Sequence, residues 1–108
     1  MSEFVPVLSV ADLPPGQAAE VNVGNQAVAL FNIGGTFYAL TNACPHRGGP
    51  LGEGDVRDGV IYCPLHAWGF DLRTGECRTH PTARVRVFDA VVSKGEIWVS
   101  RFATVRTP

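Results

Sequence analysis

Turn-forming residues cut the chain into short pieces, and that punctuation restricts it to a fold built from strands. Pro14-Pro15-Gly16, Gly24-Asn25 and Gly34-Gly35 fall between the runs FVPVLSV (4–10), AAEVNV (18–23), QAVALFNI (26–33) and TFYALT (36–41). Each break supplies a fixed φ or a residue that accepts φ > 0. Each run is rich in Val, Phe, Tyr or Thr, or alternates in polarity. Further on, Arg84-Val85-Arg86-Val87-Phe88 alternates as a half-buried strand should, and Lys94-Gly95-Glu96 turns into Ile97-Trp98-Val99-Ser100. No window longer than about 10 residues keeps a 3.6-residue period. The expected class is all-β, a small antiparallel sandwich or barrel.

A length of 108 residues suits one domain. With 45% hydrophobic and 18% charged residues, the chain can bury a modest core and is not disordered. The net charge is -1 with no basic run to neutralise phosphates, so neither nucleic acid nor an anionic membrane is an expected partner. The segment MSEFVPVLSVADLPPG has no long apolar core and does not read as a signal peptide, and no apolar stretch is long enough to span a bilayer. Three cysteines cannot all pair with one another, which argues for a thiol-preserving, cytoplasmic setting.

Residues 43–78 differ in character from the rest. They hold seven of the twelve glycines, all three cysteines and two of the three histidines. The expected organisation is one domain over 1–108, with a functional insertion at about 43–78 carried by a β scaffold of 1–42 and 79–108.

Within the insertion stand Cys44-Pro45-His46 and, after sixteen intervening residues, Cys63-Pro64-Leu65-His66. Each supplies one thiolate and one imidazole, donors that iron and zinc both accept. Asp58-Gly59 is a strong two-residue hairpin signal, flanked by Asp55-Val56-Arg57 and Val60-Ile61-Tyr62. A strand that runs out about 10 Å and returns brings Cys63 back beside Cys44. Pro45 and Pro64 stiffen the two loops, while Gly48, Gly49 and Gly52 allow a close backbone approach.

On these residues, CPHRGGPLGEG followed by CPLHAWGFDLRTGEC resembles the Rieske [2Fe–2S] signature, most of all that of the small Rieske ferredoxins of bacterial oxygenase systems. The motif covers residues 44–77. The resemblance implies the Rieske fold, with a cluster-binding hairpin-loop subdomain. It also implies one [2Fe–2S] cluster, its inner iron held by Cys44 and Cys63 and its outer iron by His46 and His66. Neutral imidazoles in place of two thiolates leave the centre less negative and easier to reduce, giving about -150 to +300 mV against about -400 mV for all-cysteine clusters. High-potential members of the family carry a disulfide between the loops and hydroxyl donors to the sulfurs. Here Gly49 and Leu65 stand in the disulfide positions, and Trp68 and Phe70 in those of the hydroxyls, so a potential near about -150 mV is expected.

A structural zinc site is the bland alternative for the same four donors. Cys77 and Trp98 read as packing residues, His80 as a surface residue or one packed on Pro81, and Trp68 and Phe70 as shields for the cluster. Glu53, Asp55 and Asp58 suit a solvated turn as well as a docking face. Once His46 and His66 are assigned, His80 alone cannot build an oxygenase iron site, and no G-x-G-x-x-G unit exists for a nucleotide. What remains is a non-enzymatic electron carrier, and the resemblance implies that it passes single electrons from a flavin-dependent NAD(P)H reductase to a terminal oxygenase of the aromatic-ring dioxygenase type. The alternative is the small subunit of an assimilatory NAD(P)H nitrite reductase, partnered with its large subunit; the complete ligand set favours the ferredoxin.

Overall fold

Gln26–Ile33 is buried along nearly its whole length on both faces, and this determines how the layers stack. The structure, a computed structural model, describes residues 3–65, 67–80 and 82–104. Its strands are β1 (Phe4–Ser9), β2 (Ala18–Val23), β3 (Gln26–Ile33), β4 (Thr36–Thr41), β5 (Asp55–Arg57), β6 (Val60–Tyr62), β7 (Gly69–Asp71), β8 (Val87–Phe88), β9 (Ala90–Ser93) and β10 (Glu96–Ser100). They form three antiparallel sheets ordered β1-β10-β9, β2-β3-β4-β8 and β5-β6-β7.

The sheet containing β3 is the middle layer. Because successive strand residues face opposite ways, Val28 and Leu30 join Leu13, Phe88, Ile97 and Val99 in one core. Ala29 and Phe31 join Leu40, Leu51, Ile61, Phe70 and Leu72 in the other, which also takes in Cys44, Cys63 and Cys77. The cysteine-bearing segment thus shares its core with the sheet containing β3. Burying each such Phe or Leu side chain is worth about 1.5–3 kcal/mol.

Two buried asparagines tie the layers at their turns. Asn32 donates to the Leu13 carbonyl at 2.8 Å and accepts from Gly35 N–H at 2.8 Å. Asn42 donates to Glu20 at 3.0 Å and accepts from Gly52 N–H at 2.9 Å, which pins the root of the first cysteine loop to β2.

The all-β expectation agrees with these sheets, and the hairpin at Asp58-Gly59 forms with φ of +52° and +77°, joining β5 to β6. Three expectations need correction, and two strands stand beyond those expected. The first strand stops at Ser9, whose hydroxyl accepts from Ala11 N–H and caps a 3₁₀ turn over Val10–Asp12. The alternation across residues 84–88 holds in burial, with Val85 and Val87 inside, but only Val87–Phe88 pairs with β4 while Arg84 bridges to Glu76. Gly69–Asp71 and Ala90–Ser93 form strands too short to carry a period. Trp98 is half-buried rather than core: Ile97 and Val99 take the inner face of β10, leaving Trp98 across from Pro6 and Val91.

Candidate metal centre

The two cysteine loops share one backbone plan. Cys44 N–H donates to the Gly49 carbonyl at 2.9 Å, and Gly48 N–H donates back to the Cys44 carbonyl at 2.6 Å. In the second loop Cys63 N–H donates to the Trp68 carbonyl at 2.8 Å, and Ala67 N–H donates to the Cys63 carbonyl at 3.0 Å. The fourth residue after each cysteine has positive φ, +72° at Gly48 and +58° at Ala67. Each loop therefore closes a tight cup under its own cysteine.

The cups face each other. Cys44 and Cys63 are 2% and 4% exposed, neither is in a disulfide, and their thiols lie within interaction range. Gly49 folds the first loop over the second: a Cβ there would lie 2.8 Å from Cys63 Sγ and 3.0 Å from Leu65 Cγ and Cδ1. Burial pushes the Cys44 thiol above its ordinary value, with Cys63 adding to the push, while backbone N–H groups of His46 and Arg47 pull the other way. Two buried thiols held face to face, with amides turned toward one of them, suit deprotonation by a bound metal centre.

His46 is exposed, on the solvent side of the pair. Its ring stacks on Trp68, with centroids 4.4 Å apart and planes 19° apart. The fourth predicted ligand, His66, lies outside the described residues. Among the described residues no three His, Cys, Asp or Glu side chains converge on one ion position. The structure thus brings Cys44 and Cys63 together, with His46 exposed at the surface.

The other singled-out residues also find places. Phe70 is wholly buried, and Trp68 packs half-buried against the same core. Cys77 is buried as expected, but it is not featureless: its sulfur accepts from His80 N–H at 3.3 Å and meets Thr79 Oγ1 at 3.3 Å. His80 is exposed and stacks on Trp68 at 3.7 Å; Pro81 lies outside the described residues. Glu53, Asp55 and Asp58 are all exposed. Asp71 was not singled out from the sequence, yet it organises the turn after β7. Its Oδ1 accepts from Arg73 and Thr74 N–H at 2.8 and 2.9 Å, and its Oδ2 accepts from Arg78 at 3.0 Å. An Asp two and three residues before its backbone donors is the available signal. Among the described residues no helix is long and apolar enough to cross a membrane.

Comparison with known proteins adds the family. The profile of the Rieske [2Fe–2S] domain matches residues 3–93. The 3-phenylpropionate/cinnamic acid dioxygenase ferredoxin subunit of Escherichia coli (strain K12) is 37% identical over 92 residues, covering 83% of this chain and 86% of the relative. Among solved structures, a chain in the complex of reduced oxygenase and oxidized ferredoxin in carbazole 1,9a-dioxygenase aligns with TM-score 0.86 and 30% identity, over 98% of this chain and 100% of that one. A candidate NADH-dependent nitrite reductase small subunit from Mycobacterium tuberculosis aligns with TM-score 0.84 and 28% identity, over 94% and 96%.

Proposed function

This chain belongs to the Rieske [2Fe–2S] family, and we propose that Cys44, His46, Cys63 and His66 hold its cluster while it carries single electrons from a flavin-dependent NAD(P)H reductase to a terminal oxygenase. The zinc alternative falls with the family assignment. The carrying observation is the pair of buried thiols on matched loops, with an imidazole two residues beyond one of them at the surface. When bound, the cluster takes up and releases one electron at a time. The protein's own share is to exclude water from the thiols and to present His46 at the outside. Leu65, 54% exposed, gives the same end an apolar contact for a docking partner.

In this reading the chain works as one domain, with residues 43–78 as its cluster-bearing part, in a compartment that keeps its thiols reduced. The named relative is the ferredoxin subunit of a dioxygenase, and the aligned carbazole dioxygenase chain comes from a ferredoxin–oxygenase complex; both support an oxygenase as the acceptor. The likeness to the candidate nitrite reductase subunit supports a second reading, in which the acceptor is the large subunit of that enzyme.

Gly49 and Leu65 in contact leave no sulfur bridge between the loops, and neither Trp68 nor Phe70 carries a hydroxyl to donate to the cluster. We therefore place the midpoint near about -150 mV. The purified protein is expected to be red-brown, to contain equimolar iron and acid-labile sulfide, and to pass electrons to a dioxygenase in stopped-flow mixing. Absence of iron and sulfide from anaerobic material would overturn the cluster ligation. A midpoint above about +100 mV would overturn the potential. Transfer only to a nitrite reductase large subunit would select the second reading.

A further inference from the structure

We propose that Trp68 and His80 are positioning residues that clamp the ring of His46 and so set how that imidazole is presented to the outer iron; this rests on His46 being a ligand. Three rings lie almost parallel at the surface. Trp68 stacks on His46 at 4.4 Å and 19°, and it also stacks on His80 at 3.7 Å and 18°. The chain segments behind the rings are distinct: His46 belongs to the first cysteine loop, Trp68 to the second, and His80 to the bend over residues 78–80. The stack therefore joins the two loops on a side where no disulfide does so.

The clamp is held from behind. Trp68 is tied to the second loop because its carbonyl accepts from Cys63 N–H at 2.8 Å. The next residue, Gly69, receives the turn that bears His80: Arg78 N–H donates to its carbonyl at 2.6 Å, and its own N–H donates to Thr79 Oγ1 at 3.2 Å. Thr79 Oγ1 in turn lies 3.1 Å from His80 Nδ1 and 3.3 Å from Cys77 Sγ. One hydroxyl thus links the exposed imidazole to a buried thiol, whose sulfur also accepts from His80 N–H.

Burial alone does not account for this arrangement. His80 is exposed, so its stacking shields little apolar surface, and an exposed side chain without such ties would sample several rotamers. Here the backbone of His80, its Nδ1 and one ring face are all engaged. The tied ring of His80 limits where Trp68 can move, and Trp68 limits the plane of His46. Ring orientation is a lever by which groups behind a ligand tune a metal centre.

The test compares wild-type holoprotein with His80→Ala, His80→Phe and Trp68→Leu. Readouts are the g-values of the reduced protein, the midpoint potential, and the rate at which the visible bands bleach in air. His80→Ala and Trp68→Leu are expected to displace the g-values and the midpoint, and to speed bleaching about three- to tenfold, the range an aromatic contact implies. His80→Phe keeps the stack and is expected to restore all three, which general destabilisation would not. Unchanged g-values and midpoint in His80→Ala, with the wild-type Rieske signal present, would overturn the clamp. A His46→Ala variant that kept that signal would instead overturn the ligand assignment, so the two failures are distinguishable.

Discussion

Gly49 lies directly over Cys63. A Cβ on Gly49 would come within 2.8 Å of the Cys63 sulfur, with Leu65 Cγ and Cδ1 at 3.0 Å on the same side. The φ of Gly49 is not in the left-handed region, so only space forbids a side chain. Gly49→Ala is therefore expected to displace the thiol and to cost about 1–3 kcal/mol of overpacking. Iron and sulfide per chain should fall as well. Denaturant unfolding and metal analysis check this, and wild-type values for both would show that the loops have slack.

The matched loops differ at one chemically telling place. Position four after the cysteine is Gly48 in the first loop and Ala67 in the second, at φ +72° and +58°. A non-glycine residue there carries about 1–2 kcal/mol of steric cost. Ala67→Gly is expected to stabilise the protein by about 1 kcal/mol. Gly48→Ala, which has open space around its Cβ, is expected to destabilise it by a similar amount. Opposite shifts of the urea midpoint are the signature.

Asp71 supplies a pH dependence. Burial alone would raise its carboxyl, but N–H donors from Thr74 and Arg73 and the Arg78 guanidinium outweigh that and hold it below its ordinary value of 3.8. A depressed native value means the unfolded chain takes up the proton first, so stability rises with pH. The contribution is complete above the unfolded value and disappears as pH falls through Asp71's own lower one. Asp71→Asn is expected to be less stable at pH 7 by about 1–2 kcal/mol, from the lost charge-assisted bonds. That gap should close as acid is added below pH 3.8. Parallel stability curves for the two proteins down to strong acid would contradict this.

Leu65 tests the docking end. It is exposed and its side chain rests beside Gly49, so replacement by Ser should change stability by no more than about 0.5 kcal/mol. The midpoint should stay put while stopped-flow transfer to the acceptor slows several-fold. An unchanged transfer rate would move the docking face elsewhere.

Much of this protein can be read along the chain because its signals are local. Gly24-Asn25, Gly34-Gly35 and Asp58-Gly59 mark turns through backbone preferences that neighbours scarcely alter, and the strands around them follow. The paired C-x-H and C-x-x-H motifs state a donor set by residue type alone. Gly69–Asp71 and Ala90–Ser93 pass unnoticed: they are too short to show a period, and no two-sided hairpin signal like that around Asp58-Gly59 singles them out. The side of β10 that faces inward is likewise undecided in the sequence, and Trp98 shows the consequence.

By itself, then, the sequence determined an all-β chain, the hairpin that returns Cys63 toward Cys44, and the chemistry of the donors, since each depends on residues close together in the chain. Only the tertiary structure decided that β3 would serve two cores, that Gly49 would close over Cys63, and that His46, Trp68 and His80 would stack. Those relations depend on distances between segments far apart in sequence, and packing in three dimensions sets such distances, whereas local backbone preference does not.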